Sequence, residues 1–329
     1  MQMVGGGKMH VYPPEDEGAH AHGTAPNWQE SVVLVWWDLK QSIGGYLRIG
    51  HEPNHNGGEA VIWTNFITPE HVFHRACEVP LTPADLIDQG FSADHGALRF
   101  HFDGECHWRV REDGIEATLR LEDFHPAVDG YLKDGSSQVG GIGAHHVEVA
   151  CRVTGTVDIQ GRHFAVDGLG IRDHGWGARD WASVRVHRWT VGVFDKDNSF
   201  CSLTVLTANG KLVKFGWVVR GDQVIYADKV DTIVYVAADG CTNRGGRTLM
   251  VLSTGERFDV ELEPLAPGLL SNHHTLACMD TLCRVRWGDK IGIGDFESTH
   301  NAHVGAERLT ALDGGIVADG WYPNQPLPG

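Results

Sequence analysis

The feature that most restricts this chain is a two-residue alternation of apolar and polar side chains, broken at intervals by tight-turn residues. Ile115, Ala117, Leu119 and Leu121 alternate with Glu116, Thr118, Arg120 and Glu122, directly after the turn Glu112-Asp113-Gly114. Trp108 and Val110 lead into that turn, so the two runs predict a hairpin with one wetted face. Leu98, Phe100 and Phe102 alternate with Arg99 and His101, and Val147, Val149, Cys151 and Val153 with Glu148, Arg152 and Thr154. Successive side chains on a strand point to opposite faces, so this period suits a half-buried sheet and not a helix.

The second half keeps the same rhythm. Trp189 to Phe194 runs into Asp195-Lys196-Asp197-Asn198, Phe200 to Leu206 into Asn209-Gly210, and Leu212 to Val219 into Gly221-Asp222. Thr254-Gly255 separates 249–252 from 258–262. Short strands divided by Asn-Gly and Asp-Gly turns predict an all-β sandwich or barrel. The 42 glycines among 329 residues fit a chain with many such turns. One helix is expected, capped at Thr82-Pro83-Ala84-Asp85 and ending at Gly90. Residues 1–26, rich in Gly, Pro and His, read as a flexible arm in which His20-Ala21-His22 is solvated rather than metal-bound.

Charge and composition narrow the function. Lys and Arg number 27 against 43 Asp and Glu, a net charge of −16, which disfavours nucleic acid and anionic lipid as partners. No apolar run approaches the ~18 residues of a membrane span, and Met1 to Lys8 lacks a signal-like apolar segment. Seven scattered cysteines without a CxxC point to a reducing, cytoplasmic setting and away from a disulfide framework. The histidine pairs His71/His74, His145-His146, His273-His274 and His300/His303 have no complete ligand set at a recognised spacing, so no metal is expected. Gly168-x-Gly170 lacks the third glycine of a dinucleotide site, and no serine lies in a GxSxG elbow, so no cofactor and no serine hydrolase are expected.

One stretch breaks the strand rhythm: Asp167-Gly168-Leu169-Gly170-Ile171-Arg172-Asp173-His174-Gly175-Trp176-Gly177-Ala178-Arg179-Asp180-Trp181. If it is extended, Arg172, His174 and Trp176 share one face and Asp173 takes the other. Two readings stand side by side. In one, His174, Asp173 and Asp180 carry acid–base chemistry, with Trp176, Trp181, Arg172 and Arg179 around a substrate. In the other the arginines pair with the aspartates as a structural belt and the tryptophans fill core. Glu297, after the apolar strand Ile291 to Phe296, is a further candidate that either closes a pocket or caps a barrel rim.

The segment GxGxRDHxWGxRDW, residues 168–181, resembles the signature of the carotenoid 1,2-hydratase (hydroxyneurosporene synthase)-like and AttH-like lipocalin superfamily, closest to uncharacterised bacterial members. Gly175 stands where the usual pattern has Ser. Glu30-Ser31, Trp37-Asp38, Gly45-Tyr46-x-Arg48 and Pro53-Asn54-x-x-Gly57 resemble that superfamily's first domain, and the likeness covers most of residues 27–300. The resemblance implies two lipocalin-like (calycin-type) antiparallel β-barrel domains in tandem, 27–165 and 166–329, the second opening with the motif. It implies relatives that hydrate or cyclise hydrophobic polyenes, with His174 and Trp176 lining the pocket. The expected function is a cofactor-independent hydratase/dehydratase, isomerase or cyclase acting on a hydrophobic small molecule, isoprenoid or polycyclic, in a barrel pocket. The alternative is a non-catalytic carrier, whose pocket would be mainly apolar with the motif charges paired outside it. Substrate identity and oligomeric state stay open.

Overall fold

The computed structural model describes residues 2–4, 10–133, 136–139, 141–238, 243–274, 276–301 and 315–324. Cys241 and His303 lie outside the described residues. The molecule is all-β as expected; its described helical pieces are three short 3-10 turns, Pro14–Glu17, Asp94–Gly96 and Trp181–Ser183. No described helix is long and apolar enough to cross a membrane.

Two large sheets make up the fold. In the second half, eight strands from Val184–Asp195 to Lys290–His300 lie side by side as antiparallel neighbours, and Val186 to Val193 then pairs with His300 to Ile293 to close an eight-stranded barrel; the hairpin of Gly268–His273 and Leu276–Asp280 lies outside it, paired with the end of Lys290–His300. Phe200, Val218, Met250, Phe258 and Phe296 fill it. The first half forms an eleven-stranded sheet that curls without closing. Its edge strand Gly90–Ala93 bends back over Ile43–Glu52, where the His51 ring bonds the Ser92 carbonyl at 2.9 Å. Trp36, Leu47, Ile62, Phe66, Phe91 and Trp108 fill the concave side.

A third core lies between the sheets. Val33, Val35, Tyr46, Val61 and Trp63 on the convex face of the first sheet pack against Val191, Leu203, Val205 and Trp217 on the outside of the barrel. The central strands of the first sheet are therefore buried on both faces. That explains why Trp28–Asp38, buried throughout, reads as an apolar run rather than an alternation. Each large apolar side chain so enclosed contributes on the order of 1.5–3 kcal/mol.

Four expectations need correcting. Residues 82–90 form no helix: the Thr82 amide and hydroxyl both donate to Asp85 Oδ2, at 3.0 and 2.6 Å, closing a turn. Leu86 beyond it is exposed, so there is no apolar stripe to carry a helix further. The segment before residue 27 is no free arm in its described part. His10–Val11 pairs with Val128–Asp129, Tyr12 is buried against Trp28 and Trp176, and His20 bonds Glu30 rather than water alone. The strand carrying the motif, Arg162–Ala178, pairs with His145–Ile159 and Trp28–Asp38 inside the first sheet, so the sheets divide after Ala178 and not at 165/166. The termini also cross over: Gly320–Pro323 joins the first sheet beside His71–Pro80, and Gln2–Val4 pairs with Gln223–Val236 of the barrel.

Candidate functional site

The register of the motif strand decides what its residues can do. His174 stands opposite Val32 and Asp173 opposite Val33, so the neighbours point into different compartments. As expected from the alternation, Arg172, His174 and Trp176 share a face. That face looks into the first sheet's concave side and its N-terminal cover, where each residue has a partner, although His174 Nδ1 is buried without one among the described residues. His174 Nε2 bonds Glu30 Oε1 at 2.9 Å, and His20 Nδ1 bonds the same oxygen at 2.6 Å. Burial would raise the Glu30 carboxyl, but hydrogen bonds from His174 and His20 outweigh it and hold it below the usual range. Trp176 lies stacked between His20 and His145, with ring centroids 4.1 and 4.9 Å away. Arg172 is held bidentately by Glu17, at 2.6 and 2.7 Å, and again by Asp123. This half of the motif is the belt that fastens residues 12–20 to the sheet.

Asp173 points the other way, into a cavity of about 70 Å³ between the two sheets. This corrects the expectation of a pocket inside a barrel: the barrel interiors are packed with Phe, Trp and Leu, and the space lies outside both. Three histidines line it: His146 and His187, each paired with a carboxylate that also lines the cavity, and His273, whose partner Glu52 lies outside it. From the first sheet His146 Nε2 bonds Asp173 Oδ2, with the His146 ring stacked on Tyr131 at 4.1 Å. From the barrel, His187 Nδ1 stands 3.0 Å from Glu297 Oε1. In each pair one ring nitrogen faces its carboxylate, while His146 Nδ1 and His187 Nε2 are buried without a hydrogen-bond partner among the described residues. Trp63, Trp181, Trp189 and Tyr46 supply aromatic wall.

Other charges set the electrostatics. Glu148, two residues from His146 on the same face, accepts from Trp189 Nε1 at 2.8 Å and Tyr131 Oη at 3.1 Å. Burial, and then the Asp173 carboxylate, push the Glu148 carboxyl well above the ordinary carboxylate range. Burial acts in the same sense on Glu297, but the charge and hydrogen bond of His187 and the Thr299 hydroxyl overcome it and hold that carboxyl low. Arg179 is fully enclosed, and loss of water lowers its guanidinium to about 10. Its Nη2 reaches Ser31 Oγ at 3.4 Å and its plane lies 5.5 Å from the Trp181 ring. Gly175 makes that position possible: a Cβ there would sit 2.5 Å from Arg179 Nη2 and 3.0 Å from His146 Nδ1.

Of the residues singled out from the sequence, Asp173, Arg179, Trp181 and Glu297 line this cavity; His174, Trp176 and Arg172 do not. Asp180 is exposed and lines a second, outer pocket of about 320 Å³, which shares Arg179 and Trp181 with the first. Sequence reasoning missed His146, Glu148, Tyr131 and His187. His146 and Glu148 carried a usable signal, being polar residues two positions apart, and so on one face, at the head of an alternating strand. His187 carried none, because its meaning depends on Glu297, which pairs with its strand 110 residues later (Trp189 opposite Glu297).

The family model for a domain of unknown function, DUF7064, matches residues 13–302. The chain belongs to the DUF7064 family. No curated protein matches it. Among solved structures, this DUF7064 chain is similar to a candidate AttH, NE1406 of Nitrosomonas europaea, with TM-score 0.68 at 14% identity over 92% of this chain and 99% of that one. Kievitone hydratase from Nectria haematococca gives TM-score 0.61 at 9% identity, covering 92% and 97%. CghA in complex with Sch210972 gives 0.61 at 11%, covering 87% and 95%. At these identities the likeness establishes the fold, and the AttH-like, lipocalin-type architecture expected for the DUF7064 chain is what the structure has.

Proposed function

We propose that the inter-sheet cavity is the active site of a cofactor-independent acid–base enzyme, a hydratase/dehydratase, isomerase or cyclase acting on a hydrophobic small molecule. The observation that carries this reading is the two histidine–carboxylate pairs, one from each sheet, meeting at an aromatic-walled cavity. A carrier would need neither pair, and its pocket would be mainly apolar. His146, hydrogen-bonded to Asp173, would donate a proton to an alkene carbon or a leaving hydroxyl oxygen. The resulting cation is shielded by the faces of Trp63, Trp181 and Trp189. His187, oriented by Glu297 at Nδ1, would in its unprotonated form take at Nε2 the proton from an attacking water or from the carbon next to the cation.

The neighbours accord with this chemistry: kievitone hydratase is named for a hydration, and CghA was crystallised with the small molecule Sch210972. The isoprenoid or polycyclic substrate class rests on the motif's resemblance to the carotenoid 1,2-hydratase-like superfamily. A cavity of about 70 Å³ is smaller than the ~300–1,000 Å³ typical of ligand sites, so binding requires an opening movement. Arg179 and Trp181, shared with the outer pocket, form the wall that would move. The test is a single-turnover pH–rate profile, expected to be bell-shaped, with Asp173→Asn altering one limb and Glu297→Gln the other. A profile unchanged in both variants refutes the assignment.

A further inference from the structure

His273-His274 has no metal partners close by in sequence, but the fold supplies them. Glu52, at the end of Ile43–Glu52 in the first sheet, is buried and directs one oxygen to each imidazole: Oε1 to His273 Nε2 and Oε2 to His274 Nε2, both at 2.7 Å. His55, in the turn that follows, brings Nδ1 to 3.8 Å from the same Oε2, and its ring centroid lies 4.6 Å from that of His274. One ligand atom from each of Glu52, His55 and His274 lies within 4.8 Å of the other two. The three side chains also line the same outer pocket of about 320 Å³.

We propose that Glu52, His55 and His274 bind a divalent transition-metal ion of the zinc class. Two imidazole nitrogens and one carboxylate oxygen form a standard donor set for such ions, with bonds of about 2.0–2.2 Å. Tetrahedral ligands at that radius stand about 3.3 Å apart. The two separations here, 2.7 and 3.8 Å, straddle that value, so small side-chain shifts bring the set onto an ion. His273 holds the free oxygen of Glu52 and fixes the carboxylate's orientation, the role outer partners play around metal ligands. Glu59 Oε2 lies 2.9 Å from His55 Nδ1 and restrains the third ligand until an ion replaces it. His55 and His274 are partly exposed to the pocket, which gives an ion a route in and leaves its remaining coordination positions open to water.

The position gives the ion a task. Glu52 and His55 belong to the first sheet, while His274 follows Gly268–His273 of the sheet that contains the barrel. An ion there ties the two sheets together outside the wall of Arg179 and Trp181. None of the three ligands lines the inter-sheet cavity or belongs to either histidine–carboxylate pair, although His273, which orients Glu52, does line that cavity, so the metal test stands apart from the acid–base reading.

Cobalt(II) tests it, since its visible bands report nitrogen and oxygen ligation. The full chain, freed of metal by chelator, is titrated with cobalt chloride, and zinc chloride is then added in competition. The expected result is one equivalent bound, displaced by zinc, with a rise in melting temperature. His55→Ala and His274→Ala should each weaken binding at least tenfold, whereas His20→Ala, at the separate His20–Glu30–His174 cluster, should leave it unchanged. Far-UV circular dichroism checks the fold of each variant, and His55 is exposed enough to be replaced safely. Absence of cobalt bands in the wild-type chain at millimolar metal overturns the proposal. So does wild-type affinity in a folded His55→Ala protein, or loss of the bands in His20→Ala alone.

Discussion

Asp173 and His174 are adjacent in sequence and separated by the thickness of a sheet, so exchanging them one at a time distinguishes chemistry from scaffold. In Asp173→Asn the side chain keeps its size and an oxygen for His146, but loses the carboxylate. Removing a general acid or base typically costs about 10²–10⁴ in rate, or about 2.7–5.4 kcal/mol of barrier at 1.36 kcal/mol per decade. Stability should move little, because neutralising Asp173 also relieves Glu148 and Glu297, both of which its charge pushes upward. His174→Ala acts differently. It removes a buried hydrogen bond to Glu30, whose remaining partners are the His20 ring and amide. A lost buried bond of this kind costs about 1–3 kcal/mol, which at ~2–4 °C per kcal/mol lowers the melting temperature by about 2–12 °C. The assay is a single-turnover rate, on a substrate found by screening polyenes and isoprenoid alcohols, beside a melting curve for each variant. If His174→Ala loses a hundredfold in rate without melting earlier while Asp173→Asn keeps its rate, the reasoning fails.

Further outcomes follow from the same geometry. The folded protein holds the Glu148 proton more tightly than the unfolded chain does. Its contribution is therefore fully present below the unfolded carboxyl range near ~4.3 and declines as pH rises toward the raised folded value. Glu148→Gln, which can still accept from Tyr131 and Trp189 and still faces His146, Asp173 and Glu297, should melt higher than wild type at pH 8 and gain less at pH 5; equal shifts at both would refute the account. Gly177 has φ +119°, and a Cβ there would sit 2.9 Å from the Ala144 amide nitrogen, so Gly177→Ala should lower the melting temperature. Unchanged melting would show that the backbone relaxes freely. Arg172→Ala leaves Glu17 buried without its bidentate partner, so limited proteolysis should cut within residues 10–26 faster than in wild type. Equal cleavage rates would contradict the belt.

The all-β fold was legible because alternation and turn chemistry are local, and a hairpin such as 106–123 writes its register into adjacent residues. The division between the sheets was not. The motif's glycines look like a linker, but Gly168 and Gly170 are strand residues whose hydrogens let neighbouring backbone approach: a Cβ on Gly168 would lie 2.5 Å from the Trp37 carbonyl oxygen. The opposite facing of Asp173 and His174 could also be read from period 2 alone. Which face met the cavity could not, because that depends on how the convex side of one sheet docks on the outside of another. His187 and Glu297, and likewise Glu52 and His274, became meaningful only through pairings more than a hundred residues apart.

A crystal structure with a turned-over or trapped hydrophobic ligand tests the central claim most directly. The account predicts density between the sheets, within contact of Asp173 or His146 on one side and His187 or Glu297 on the other, with Trp181 displaced and the His174–Glu30 bond intact. Ligand density inside the barrel among Phe200, Phe258 and Phe296, or on the concave side against His174, would contradict it.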